Sequence, residues 1–132
     1  MPEKEIPIET GAGIVTDEPC ILESIGIGSS IAICLYDKKE KIAGMAHVML
    51  GKNPGTGVNP WRFADSAIEM LLDMMEEKGA KRSDIRAKIF GGAHIFKTST
   101  LNIGEENIKA TKEKLEEEGI PIVAEDLGGA QR

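Results

Sequence analysis

Two apolar runs, residues 31–36 and 42–50, stand on either side of the polar stretch Asp37-Lys38-Lys39-Glu40. Short runs rich in Ile and Val that flank a polar break read as the two strands of an antiparallel hairpin. If 37–40 forms the loop, Tyr36 pairs with Lys41. Cys34 then faces Ala43, Ala32 faces Met45, and Ser30 faces His47. Directly opposed residues have Cβ atoms about 4.5–5.5 Å apart, so a hydroxyl and an imidazole can touch across that pair. The opposite face collects Ile31, Ile33, Leu35, Ile42, Ala46, Val48 and Leu50, an apolar set suited to a core.

The rest of the chain follows the same logic. Residues 6–8, 13–16 and 20–23 read as short strands, and 51–60, rich in Gly and Pro, as a loop. The period then changes. Phe63, Ala64, Ala67, Ile68, Leu71, Leu72 and Met75 recur at helical spacing, and Gly79 stands where a helix C-terminus favours positive φ. Residues 87–90 read as a strand ending in Gly91-Gly92. A second helix is predicted over about 105–118, with Ile108, Thr111 and Leu115 inward and Gly119 as its stop. Residues 120–124 read as a last strand. Strands first and helices late predict an α+β fold with a mixed sheet.

Composition excludes several classes. The 132 residues fit one domain, and 41% hydrophobic residues suffice for an ordinary core. A formal charge of −6 argues against a nucleic-acid partner, because phosphate neutralisation needs clustered Lys and Arg. No window reaches the roughly 18 apolar residues of a membrane span, and the first residues carry no secretory pattern. Cys20 and Cys34 have neither a metal-ligand nor a disulfide spacing, so the expected setting is cytoplasmic.

A nucleophile beside a histidine can pass its proton to the ring and attack a carboxamide carbon. Gly26 and Gly28 allow close approach of a substrate, leaving N–H groups near Ser29 and Ser30 to cradle an oxyanion. Without more, a Ser–His pair across a hairpin is usually structural rather than catalytic. His94, after the double glycine, reads as a loop residue, and Cys34 as a small buried hydrophobe. Two phosphate-binding motifs fail on context. Gly26-x-Gly28 leads into a strand and lacks the third glycine, and Gly51-Lys52 is followed by Asn53 rather than Ser or Thr. Met70, Met74 and Met75 read as core filler, with an exposed Met or Phe63 as a candidate for docking.

The stretch 24–37 and the segment 44–50 together resemble the nucleophile and histidine strands of the CheD family, the chemoreceptor glutamine deamidases. The resemblance extends over residues 6–129. It includes Arg62-Phe63-Ala64-Asp65 opening the first helix, Ala87-Lys88-Ile89-Phe90-Gly91-Gly92-Ala93, Asn102-Ile103-Gly104-Glu105-Glu106-Asn107, and Gly119-Ile120-Pro121 through Gly128-Gly129. It implies an αββα sandwich of mixed sheets with two main helices, like the glutamine-deamidating toxin fold. It implies hydrolysis of glutamine side-chain amides in methyl-accepting chemotaxis receptors, giving glutamates, with no metal or organic cofactor. Carried over, Ser30 takes the nucleophile position, His47 that of base and later acid, and Ser24 that of the hydroxyl that orients the imidazole. Gly28 and Ser29 supply the oxyanion backbone. Many members also bind a CheC-type phosphatase that acts on CheY, in competition with the receptor.

Two departures matter. The family has Cys where this chain has Ser30, and a hydroxyl is far less acidic than a thiol. The family also continues past Gly-Gly-x-x-Arg into a further strand pair, whereas this chain stops at Arg132, so a single domain over 1–132 without that pair is expected. Two readings remain open: an amidohydrolase, or an adaptor that keeps the receptor and phosphatase surfaces while its chemistry is impaired.

Overall fold

The computed structural model describes residues 4–8, 11–17, 20–24, 30–55, 59–92 and 103–127. Among these residues, seven strands and two main helices follow the predicted order. β1 is Lys4–Ile8, β2 Ala12–Thr16, β3 Cys20–Ser24, β4 Ile31–Asp37 and β5 Ile42–Val48. Then come α1 Ala64–Glu77, β6 Ile85–Gly91, α2 Ile103–Glu117 and β7 Ile122–Leu127. Five strands form a mixed sheet in the order β2-β5-β4-β6-β7, with β6·β7 parallel and the other pairs antiparallel. β1 and β3 form a separate parallel pair. The α+β expectation holds.

The alternation predicted for the hairpin sorts its two faces. Ile31, Ile33, Leu35, Ile42, Ala46 and Val48 are buried in one cluster with Ala64, Ala67, Ile68, Leu71, Leu72 and Met75 of α1 and Leu115 of α2. Leu50 belongs to the same predicted face but lies past the last pair of β5, and it is 45% exposed. Both helices stop as glycine dictates: Gly79 and Gly119 adopt φ of 112° and 73°. Between the helices, the buried Lys114 amine meets Glu69 at 2.6 Å and Glu118 at 3.1 Å, tying α2 to α1.

The hairpin register differs from the expectation by two residues. Asp37 pairs with Ile42, Tyr36 with Ala43, Cys34 with Met45, and Ala32 with His47. The reason is Asp37 itself, which stays in the strand as a capping residue. Its carboxylate accepts from the backbone N–H groups of Lys39 at 2.9 Å, Glu40 at 3.2 Å and, across the connection after α1, Lys81 at 3.0 Å. The turn therefore moves to residues 38–41 and closes with Lys41 at φ 58°. A shift of two leaves every side chain on its predicted face, because the strand period is two.

Burial opposes ionisation of Asp37, but the N–H donors of Lys81, Glu40 and Lys39 outweigh it and hold the carboxyl below its ordinary value. A depressed carboxyl stabilises the fold above its unfolded pKa, and that stability drains as pH falls through the folded value. Asp37→Ala should cost about 1–3 kcal/mol at neutral pH, since it strands N–H donors around a buried site. Urea unfolding should show a lower midpoint with unchanged slope, and the deficit should shrink on acidification below about pH 4. An unchanged midpoint would show that the cap is redundant.

Candidate active site

His47 lies on the sheet face away from the helices, in the interior strand β5 between β2 and β4. Its ring is fully buried. Two contacts bracket it: Nε2 is 2.8 Å from Ser30 Oγ, and Nδ1 is 3.3 Å from the main-chain oxygen of Ile8. Ser30 stands one residue before β4, so it faces His47 along the diagonal of the ladder rather than directly across it. The pair that the sequence predicted does meet, by a different register.

Several elements hold these groups. The Gly92 N–H donates to the Ser30 oxygen at 2.9 Å, tying the residue before β4 to the end of β6. Gly92 has φ 73°, and a Cβ there would press on the Ile108 side chain, so only glycine suits this position. The Gly11 N–H donates to the His47 oxygen at 2.7 Å. Past His47, the Met49 and Leu50 N–H groups both donate to the Arg62 oxygen, while Asn107 Nδ2 donates to the Met49 oxygen at 2.8 Å. The strand end beside the site is thus clamped from both helices' neighbourhoods.

The other predicted residues are placed unevenly. Ser24 ends β3 and is the register partner of Ile8, so its backbone lies beside the strand that touches His47; its side chain is outside the described residues. Gly28, Ser29, Gly26 and His94 also lie outside them. Cys34 sits on the His47 face, half-buried opposite Met45, and burial pushes its thiol pKa up, partly countered by Lys88. It is poorly suited as a nucleophile. Phe63 is buried, which removes it as a docking residue; among the described residues Met49, at 37% exposed, Leu50 and the distant Val123 are the large apolar groups that show. The residues Gly51-Lys52-Asn53 hold no open anion cradle: Asp65 takes the Asn53 N–H at 3.0 Å and the Ser66 N–H at 2.7 Å.

The contacts from Ile8, Gly11 and Gly92 escape sequence reasoning because main-chain atoms carry no residue signature. The double glycine at the end of β6 is the one visible hint.

Burial lowers the His47 pKa below its ordinary 6.5, with the Ile8 carbonyl partly opposing the shift. The ring is therefore neutral at neutral pH and able to accept a proton. The linkage has a definite sign. Above pH 6.5 both folded and unfolded chains hold the ring neutral; below it the unfolded chain protonates first, and stability falls until the folded value is reached. His47→Gln should flatten this loss of stability below about pH 7, measured by thermal unfolding at a series of pH values. An unaltered slope would mean that His47 titrates as it does in the unfolded chain.

Among the described residues no helix is long and apolar enough to cross a membrane. A solved structure with a similar fold is a hypothetical protein, YfiH, from Bacillus licheniformis. Its TM-score is 0.54 at 18% identity, over 86% of this chain and 49% of that one. Curated relatives are closer in sequence. The chemoreceptor glutamine deamidase CheD of Thermotoga maritima is 38% identical over 122 residues, covering 92% of this chain and 78% of that protein. Proteins named as probable chemoreceptor glutamine deamidases CheD show 42% identity in Caldanaerobacter subterraneus and 44% in Clostridium novyi, each over 98% of this chain and 83% of the relative. The family model described as CheD chemotactic sensory transduction matches residues 49–132, which begins just after His47. With relatives that cover Ser30 and His47 as well as a family match over most of the chain, this protein belongs to the CheD family.

Proposed function

We propose that this protein acts on glutamine side chains of chemotaxis receptors as a protein-glutamine deamidase, with Ser30 as nucleophile and His47 as its base. The observation that carries the reading is the 2.8 Å approach of Ser30 Oγ to a buried, neutral imidazole. In this mechanism the Ser30 oxygen attacks the carboxamide carbon while its proton passes to Nε2. The oxyanion that forms is held by backbone N–H groups around Gly28 and Ser29. His47 returns the proton to the departing nitrogen, ammonia leaves, and an acyl-enzyme ester remains. Water activated by the same ring hydrolyses the ester and releases glutamate. By the family pattern the Ser24 hydroxyl helps to hold the ring in place. Ammonia release from a receptor cytoplasmic fragment, with the converted glutamines located by mass spectrometry, tests the reading. Conversion that is unaffected by replacing His47 would refute it.

A second reading is favoured by one feature, the hydroxyl at position 30. As an impaired enzyme the chain would serve as an adaptor between receptors and a CheC-type phosphatase. Ser and Cys differ little in shape, so docking around Ser30 and the 51–60 loop survives while chemistry falters. A fluorescently labelled CheC-type phosphatase should then bind this chain and be displaced by receptor fragment. Binding that receptor cannot displace would separate the two surfaces.

A further inference from the structure

The His47 ring has a partner that is no side chain. The Ile8 main-chain oxygen, at the end of β1, lies 3.3 Å from Nδ1, and Ile8 is itself buried. A carbonyl oxygen can only accept, and a neutral imidazole has one N–H to give. The contact is a hydrogen bond only if Nδ1 carries the proton. Nε2 then presents its lone pair towards Ser30 Oγ at 2.8 Å. The opposite tautomer would set the Nδ1 lone pair against the carbonyl lone pairs inside a buried site. It would also aim an N–H at Ser30, where it could take no proton.

We propose that the main-chain carbonyl of Ile8 is a positioning group that sets the tautomer of His47 and so makes Nε2 the proton acceptor. The placement is built from both sides of the ring. β1 is anchored by its parallel pairing with β3, from Lys4↔Cys20 to Ile8↔Ser24. Just beyond β1 the Gly11 N–H grips the His47 backbone oxygen at 2.7 Å, and Ala12 opens β2 as the direct neighbour of His47. Ile8 therefore meets the ring of His47, and Gly11 and Ala12 its backbone. A main-chain acceptor suits this task, since it is always present, cannot titrate and can accept only. The first strand thus becomes part of the catalytic apparatus, without touching substrate. The inference rests on His47 being the base, but the tautomer is measurable without turnover.

The test is long-range ¹⁵N–¹H NMR on the full chain labelled at histidine, at a pH above the His47 titration. The chain has two histidines, and His94→Gln assigns the signals. The expected pattern for His47 is a protonated Nδ1 and an unprotonated Nε2. A protonated Nε2 would overturn the proposal. Ser24→Ala should keep the same pattern; its loss would assign the orienting role to the Ser24 hydroxyl instead. A second arm replaces the Ile8–Glu9 amide with an ester by semisynthesis in the Ser30→Cys chain, which weakens the carbonyl as an acceptor. There kcat should drop about 2–10-fold with KM little changed, the worth of one hydrogen bond. An unchanged kcat, or a rise in KM alone, would show that the carbonyl does not position the base. Failure of the deamidase reading appears differently, as absence of ammonia release by the unmodified Ser30→Cys chain whatever its tautomer.

Discussion

Ser30→Cys should raise the rate of ammonia release from a receptor fragment by at least about 10²-fold, an effect of the size usual for a positioned acid–base pair. The substitution keeps the backbone, the approach to His47 and nearly the volume of the side chain. What changes is the attacking atom. A cysteine with an ordinary pKa near 8.5 is a few per cent thiolate at neutral pH, and a neighbouring imidazole increases that fraction. A serine hydroxyl has no such reserve of anion, so in the proposed mechanism His47 must remove its proton as the new bond forms. The buried ring makes this harder, because burial disfavours the imidazolium that results. Initial rates for the two chains at equal concentration decide the matter. Equal rates would show that the hydroxyl is already an adequate nucleophile, and the adaptor reading would lose its support.

His47→Ala added to Ser30→Cys should bring turnover down by about 10²–10⁴-fold, the range for a general acid–base group. In the proposed mechanism one ring serves twice, accepting the nucleophile's proton and returning it to the leaving nitrogen, so neither half of the reaction escapes the loss. The removed side chain is fully buried and touches both Ser30 and the Ile8 carbonyl. Its absence also leaves a cavity, and the comparison therefore needs a stability control. His47→Gln supplies it, keeping a polar side chain that can satisfy Ser30 while offering no base. If the Gln variant folds like the parent and is equally inactive, the loss is chemical. Retention of more than about a tenth of the rate in either variant would remove His47 from the mechanism.

Much of this architecture is legible in residue order. The alternation of Ile31, Ile33 and Leu35 against Ala32 and Cys34 assigned both faces of the hairpin. The helical spacing from Phe63 to Met75 and the stops at Gly79 and Gly119 set α1 and α2 to within two residues. These signals are local: they arise from side-chain period and from backbone conformations that only some residues favour. Ser30 and His47 were likewise identified as partners, because the parity of the faces survives a two-residue slip.

The register itself was not legible. It depends on Asp37 bonding to Lys81, a residue 44 positions away, which no local pattern announces. The environment of His47 was hidden for a related reason. Among the described residues its partners include the Ile8 carbonyl, the Gly11 amide and a serine held by the Gly92 amide, and nearly every residue type supplies such main-chain groups. Sequence alone determined that Ser30 and His47 share one face of the sheet, since that follows from side-chain identity and a period of two. Only the tertiary structure decided how the imidazole is buried and what its second nitrogen meets, because those depend on where distant stretches of backbone come to rest.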